Sequence, residues 1–219
     1  MEVTKDIFFE HETSISNDNW KVDLSYESSN TKNKKIELNE DIPIIQVANE
    51  EFYSAIKIDT TDNKGSTKSF ILSGIDGAFI LYPKSKGENQ YQSVLIKNDN
   101  LILSLGFTLM SIDLKTLNIN WKIRPDIAEV FEFYELEKDI LLRGELGIHR
   151  IDFNGNVKWT YSGKDIWVNM DGKPEVQIEK NTIRLLDFDS QEYLIDFSGQ
   201  DIHDNSKIEA KRKWWKWKK

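Results

Sequence analysis

Residues 139–163 read DILLRGELGIHRIDFNGNVKWTYSG. Three runs inside this stretch, 140–143, 147–152 and 157–161, are apolar or alternate apolar with polar residues, the two-residue period of a half-buried strand. Between the last two sits Phe153-Asn154-Gly155-Asn156. Asn-Gly between β-rich runs predicts a two-residue type I′ hairpin, whose central residues both need φ > 0. A chain built from such pieces is all-β.

Working outward, the pattern recurs on both sides. Runs at 91–97, 101–105, 109–113 and 118–123 form one four-strand unit, and runs at 130–136, 140–143, 148–152 and 157–161 form the next. A third unit follows at 166–170, 175–179, 183–187 and 192–197. The third runs align as LMSID, IHRID and IRLLD, ending at Asp113, Asp152 and Asp187, which are 39 and 35 residues apart. After each Asp come a turn and an aromatic strand, reaching Trp121, Trp159 and Tyr193. Self-similarity at this period marks a repeat architecture. A four-stranded meander has two faces to bury and cannot stand alone, so such units stack.

The segments SIDLKTLNINW and RIDFNGNVKW resemble the blade repeat of PQQ-like β-propellers, in which a strand ends in an apolar residue plus Asp, turns at Thr-Gly or Asn-Gly, and carries a docking Trp. The resemblance covers about residues 91–197, with Leu117 and Ser190 standing where the repeat has its turn glycine. It implies a β-propeller-like array of four-stranded antiparallel meanders, about five blades, in a single domain over residues 1–206. In that array Asp113 and Asp152 bond turn backbone, and Trp121 and Trp159 fill the gaps between blades. The alternative is an open blade stack or a β-sandwich made of the same meanders. Enzymes that share this repeat and use the quinone need many more blades, so no cofactor is expected.

The first part of the chain is less regular. Strands are expected at 7–10, 20–26, 35–38, 42–47, 52–58, 70–73 and 78–82, with polar loops at 60–68 and 83–89. Residues 7–47 and 52–82 would supply the two remaining blades.

Composition narrows the function classes. With no Cys, thiolate chemistry and thiolate metal sites are excluded. The first residues, MEVTKDIFFEHE, have acids where a secretory signal has a basic segment, so a soluble, cytoplasmic protein is expected. The formal charge is -8, but the last nine residues, KRKWWKWKK, hold six basic groups and no acid, leaving the rest of the chain at -14. An acidic body disfavours nucleic acid and suits a basic partner.

Motif chemistry is sparse. His11, His149 and His203 have no metal-ligand spacing, so no metal site is expected, and His149 occupies an ordinary strand position. Phosphate loops, EF-hand loops and serine nucleophile elbows are absent from the sequence. The densest acidic stretch runs from Asp126 to Asp139, with Glu129, Glu132, Glu135 and Glu137 interleaved with Phe131, Phe133 and Tyr134. Strict alternation would split these across two faces, so a bulge or twist is expected there.

These features point to a non-catalytic protein-binding module, of which a bacterial immunity-type inhibitor that neutralises a toxin or effector is the concrete form. The expected contact surface is either the loops at one end of the blades or the acidic strand with Glu129, Glu132, Phe133, Tyr134, Glu135 and Glu137, where aromatics anchor and charge steers. A carbohydrate-binding propeller and a glycoside hydrolase working through two carboxylates are the alternatives. The basic Trp/Lys-rich tail at 207–219, with Lys211, Arg212, Lys213, Trp214, Trp215, Lys216 and Trp217, has the composition of a segment that lies on an anionic membrane or stacks on nucleic acid.

Overall fold

Hydrophobic alternation in the first described strands sets up a five-stranded sheet: β1 (His11–Ser16), β2 (Trp20–Tyr26), β3 (Ile44–Gln46), β4 (Ser54–Asp62) and β5 (Thr67–Ile75), ordered β1-β2-β4-β5-β3. In β2, Trp20, Val22, Leu24 and Tyr26 all point inward while the residues between them are less buried. The computed structural model describes residues 11–26, 42–48 and 54–202, which form two compact units, Met1–Ser162 and Gly163–Lys219. Among these residues there is no helix, and hence none long and apolar enough to cross a membrane.

The polar segment expected to be a loop at 60–68 is mostly strand. Thr60 and Thr61 pair with Lys68 and Thr67, so only a short tip at Asn63–Ser66 turns the chain. Two blades were expected from this part of the chain, but β2 pairs directly with β4 and all five strands share one sheet. β3 joins it in parallel, Ile44 opposite Ile71, whereas the other ladders are antiparallel. The strands expected at 7–10 and 35–38 and the tail residues Lys211 to Trp217 lie outside the described residues.

Three further sheets follow the repeat. β6 (Tyr91–Gln92) is set apart from β7 (Val94–Lys97), which with β8 (Asn100–Leu105), β9 (Thr108–Asp113) and β10 (Ile119–Ile123) makes a four-stranded meander. The next sheet contains β11 (Val130–Glu135), β12 (Asp139–Gly144), β13 (Ile148–Asp152) and β14 (Val157–Tyr161), with β6 on the outer edge of β11. The single strand expected at 91–97 is therefore broken at Ser93 and shared between two sheets. The second unit holds a three-stranded sheet of β15 (Val176–Ile178), β16 (Thr182–Leu186) and β17 (Glu192–Asp196). Residues 166–170, expected to be its fourth strand, are not a strand. There the Asn169 amide nitrogen donates to the Asp187 carbonyl and the Ser190 hydroxyl, and its oxygen accepts the Asp171 N–H, a local alternative to a ladder.

The core of the first unit lies on both faces of the middle sheet. Leu101, Leu103 and Leu105 of β8 pack with Val22, Leu24, Ile56, Ile58, Phe70 and Leu72, while Ile102 packs with Val130, Phe133, Ile140 and Leu142. A strand buried on both sides reads as a continuous apolar run, which is why residues 100–105 are NLILSL rather than alternating. Each such side chain contributes about 1.5–3 kcal/mol relative to exposure.

The aspartates of the repeat do cap turns. Asp113 Oδ1 accepts the N–H groups of Lys115 and Thr116 at 2.9 and 2.7 Å, and Asp152 Oδ1 accepts those of Asn154 and Asn156 at 2.9 and 3.0 Å. Asp62, Asp187 and Asp196 take the same role, accepting the N–H of Ser66, Gln191 and Gln200. The Asp152 turn is not type I′. Only Gly155 has positive φ, at 83°, and Asp152 and Asn156 close the hairpin around three loop residues. An Asp side chain gathering the loop N–H groups favours this longer form with one left-handed residue. Leu117 (φ 61°) and Ser190 (φ 58°) adopt that left-handed conformation without being glycine.

Candidate binding cleft

The acidic strand β11 contains the bulge its sequence demands. Val130 pairs with Gly144 and Phe133 with Leu142, so β11 advances three residues while β12 advances two. The extra residue reverses the side-chain parity, and Val130 and Phe133 both enter the same core cluster. Glu132 then turns inward too.

A buried carboxylate needs a partner, and Glu132 has a strong one. Arg143 of β12 donates from Nε to Oε1 at 2.6 Å and from Nη2 to Oε2 at 2.8 Å, a two-point clamp. The Phe131 ring lies 4.4 Å from the guanidinium carbon. Tyr82 and Tyr134 point their hydroxyls at the two carboxylate oxygens, each at 3.4 Å. Tyr91 stands between the two tyrosines, edge-on to Tyr82 at 5.7 Å and to Tyr134 at 6.2 Å. Burial, with the Glu132 charge adding to it, pushes the Tyr82 hydroxyl well above its ordinary value, so it stays protonated.

Residues 78–82, expected to be a strand, run alongside in extended form without a ladder. Side chains satisfy their backbone instead: Glu129 Oε1 accepts the Ala78 N–H, Ser93 Oγ donates to the Ile80 carbonyl and accepts the Tyr82 N–H, and the Tyr26 hydroxyl accepts the Leu81 N–H. This segment, β8, β11 and β12 enclose a cleft of about 320 Å³. Phe79, Ile80, Val130 and Phe131 supply apolar wall, while Ser104, Glu129, Glu132 and Arg143 supply the polar groups.

The six residues expected to form one docking surface are divided by the fold. Glu132, Phe133 and Tyr134 are buried, Phe133 completely, because the bulge turns them into the interior. Glu135 is half-buried and paired with Lys97 at 2.6 Å and Lys84 at 3.6 Å. Glu137 is exposed beyond the end of β11, and Glu129 sits at the cleft. Of the six, Glu129 and Glu132 come together, with Arg143, Tyr82 and Ser104 as neighbours that residue types alone did not single out. Their meeting depends on strands far apart in sequence.

His149 is a satisfied interior histidine. Nδ1 lies 3.0 Å from the Thr160 hydroxyl and Nε2 3.5 Å from Asp126 Oδ2. Burial lowers its pKa, with Asp126 opposing. Asp126 also accepts the N–H groups of Leu146 and Gly147 at 3.0 and 2.8 Å, tying the segment before β11 to the β12–β13 turn.

No family model matches the chain, and no curated protein matches it. Among solved structures, apo AztD from Citrobacter koseri is similar over 88% of this chain and 58% of that one, at 15% identity and a TM-score of 0.43. This chain therefore spans less than two thirds of that protein's length.

Proposed function

We propose that this chain is a non-catalytic protein-binding module of the immunity type, whose sheets stack as the blades of a PQQ-like propeller or an open blade stack. Supporting the blade reading are the recurring Asp-capped turns, the middle sheet buried on both faces, and Trp121 of β10 against the Phe153 carbonyl of the following sheet. The observation that carries the binding reading is a pair of exposed apolar side chains, one on the cleft wall and one just before the strand that lines it. Ile80 lines the cleft and is 66% exposed, and Ile127, two residues before Glu129, is 83% exposed. Exposed apolar surface rimmed by polar groups marks an interaction site when it is contiguous.

The test is co-purification of tagged full-length protein from its own cells, beside an Ile80→Asp/Ile127→Asp double variant. Both positions are exposed, so the fold tolerates the change. One stoichiometric basic protein, recovered with the wild type and lost with the variant, is the expected result. Recovery of the wild type alone would sink the reading. Salt-sensitive membrane or nucleic-acid binding lost on deleting residues 211–219 would place the activity in the tail instead.

A further inference from the structure

Arg143 is committed: its Nε and Nη2 both bond Glu132, and its face lies over Phe131. That pair is neutral, so Glu129 leaves the cleft with one net negative charge. Glu129 uses Oε1 to accept the Ala78 N–H at 2.9 Å, while Oε2 accepts from no described residue. Ser104 also lines the cleft; the residue is 2% exposed, and its hydroxyl is buried and makes no hydrogen bond among the described residues. Buried polar atoms are normally partnered, so an orphaned hydroxyl lining an open cavity marks a place where a ligand donor fits. Ile80 and Phe131 supply apolar wall in the same cleft.

An acceptor carboxylate, an acceptor hydroxyl and an aliphatic-aromatic wall match one kind of group. Resting on the protein-binding reading above, we propose that the cleft receives a lysine or arginine side chain of the partner. The methylene stem packs on Ile80 and Phe131, and the cationic head donates to Glu129 Oε2 and Ser104 Oγ. Long basic side chains combine an apolar stem with a charged tip in this way. An anionic group would meet Glu129 as a like charge. The chain's charge of -8 steers a basic partner towards the same face.

The experiment is an amide NMR titration of the ¹⁵N-labelled full-length protein with blocked lysine, blocked arginine, blocked norleucine and a methyl glucoside. Shifts at Ala78, Ser104 and Phe131 with either cationic probe, absent with norleucine, are expected. Glu129→Gln keeps an oxygen for the Ala78 N–H and weakens binding about tenfold, Ser104→Ala weakens it less, and Glu88→Gln leaves it unchanged. Equal response to norleucine, no response to either cation, or a response to the glucoside alone overturns the assignment. A silent cleft with a protein partner recovered by co-purification overturns this inference and leaves the protein-binding reading standing. A responsive cleft with no partner recovered supports the cation site and overturns that reading.

Discussion

The indole Nε1–H of Trp121 on β10 donates to the Phe153 carbonyl at 3.0 Å, joining the end of one meander to the turn of the next. Gly155 in that turn lies against the same indole, and a Cβ there would fall 2.7 Å from the ring. Trp121→Phe keeps most of the packing and loses the hydrogen bond, about 1 kcal/mol. Gly155→Ala adds the clash to a left-handed backbone, φ 83°, and is expected to cost more. Urea unfolding measures both. A Trp121→Phe variant as stable as the wild type would show that the bond does not hold the sheets together.

The Arg143–Glu132 clamp predicts an asymmetry. With side chains 13% and 6% exposed, removing the cation alone strands a buried carboxylate, and Arg143→Met is expected to destabilise by about 3–5 kcal/mol. Replacing both, Glu132→Leu with Arg143→Met, removes the stranded charge and recovers most of that loss. Equal midpoints for the single and double variants would contradict a desolvated pair.

The turn aspartates act as acceptors. Asp152→Ala removes the acceptor for the Asn154 and Asn156 N–H groups and is expected to cost about 1–2 kcal/mol, as loss of a helix cap does. Asp152→Asn retains an oxygen in the same place and should cost much less. Thermal unfolding of the two variants separates hydrogen bonding from charge; equal losses would assign the effect to charge.

Acid is expected to destabilise the protein in two windows. The buried His149 has a pKa below its ordinary 6.5, so the unfolded chain takes up a proton first and stability falls as pH drops below about 6.5. His149→Gln should flatten that first slope. The second window lies lower. At Asp139, burial alone would raise the carboxyl, but Lys158 and Arg150 outweigh it. At Asp113 the Thr116 N–H does most to lower the value, and at Asp152 the Asn156 bonds overcome burial. Their stabilisation is present above 3.8 and is lost as pH falls through the lowered values. A melting temperature that stays level between about pH 7 and 5 would remove the His149 contribution.

Much of the repeat region was legible because its signals are local. Strands β7 to β14 fall within a residue or two of the runs that sequence alternation marks, except where β6 splits away. The Asp caps follow from side chains bonding backbone two to four residues on. Leu117 and Ser190 could be recognised as glycine-type positions by alignment of the repeats, and both do take positive φ. The bulge in β11 was also readable, since strict alternation would split Phe131, Phe133, Glu135 and Glu137 from Glu132, Tyr134 and Leu136 and mix acids with aromatics on both faces.

The all-β class, the strands of the repeat and the capped turns are thus local outcomes, set by residues within a few positions of one another. Tertiary structure alone decided the rest. It gathered β1 to β5 into one sheet, added β3 in parallel, broke the 91–97 run at Ser93 and left residues 78–82 bonded mainly through side chains. It also placed Glu129, Ser104, Glu132 and Arg143 in one cleft, drawn from β8, β12, the bulged β11 and the segment before it. Those outcomes are contacts between residues tens of positions apart, and their energies come from burial and pairing that exist only once the sheets have stacked.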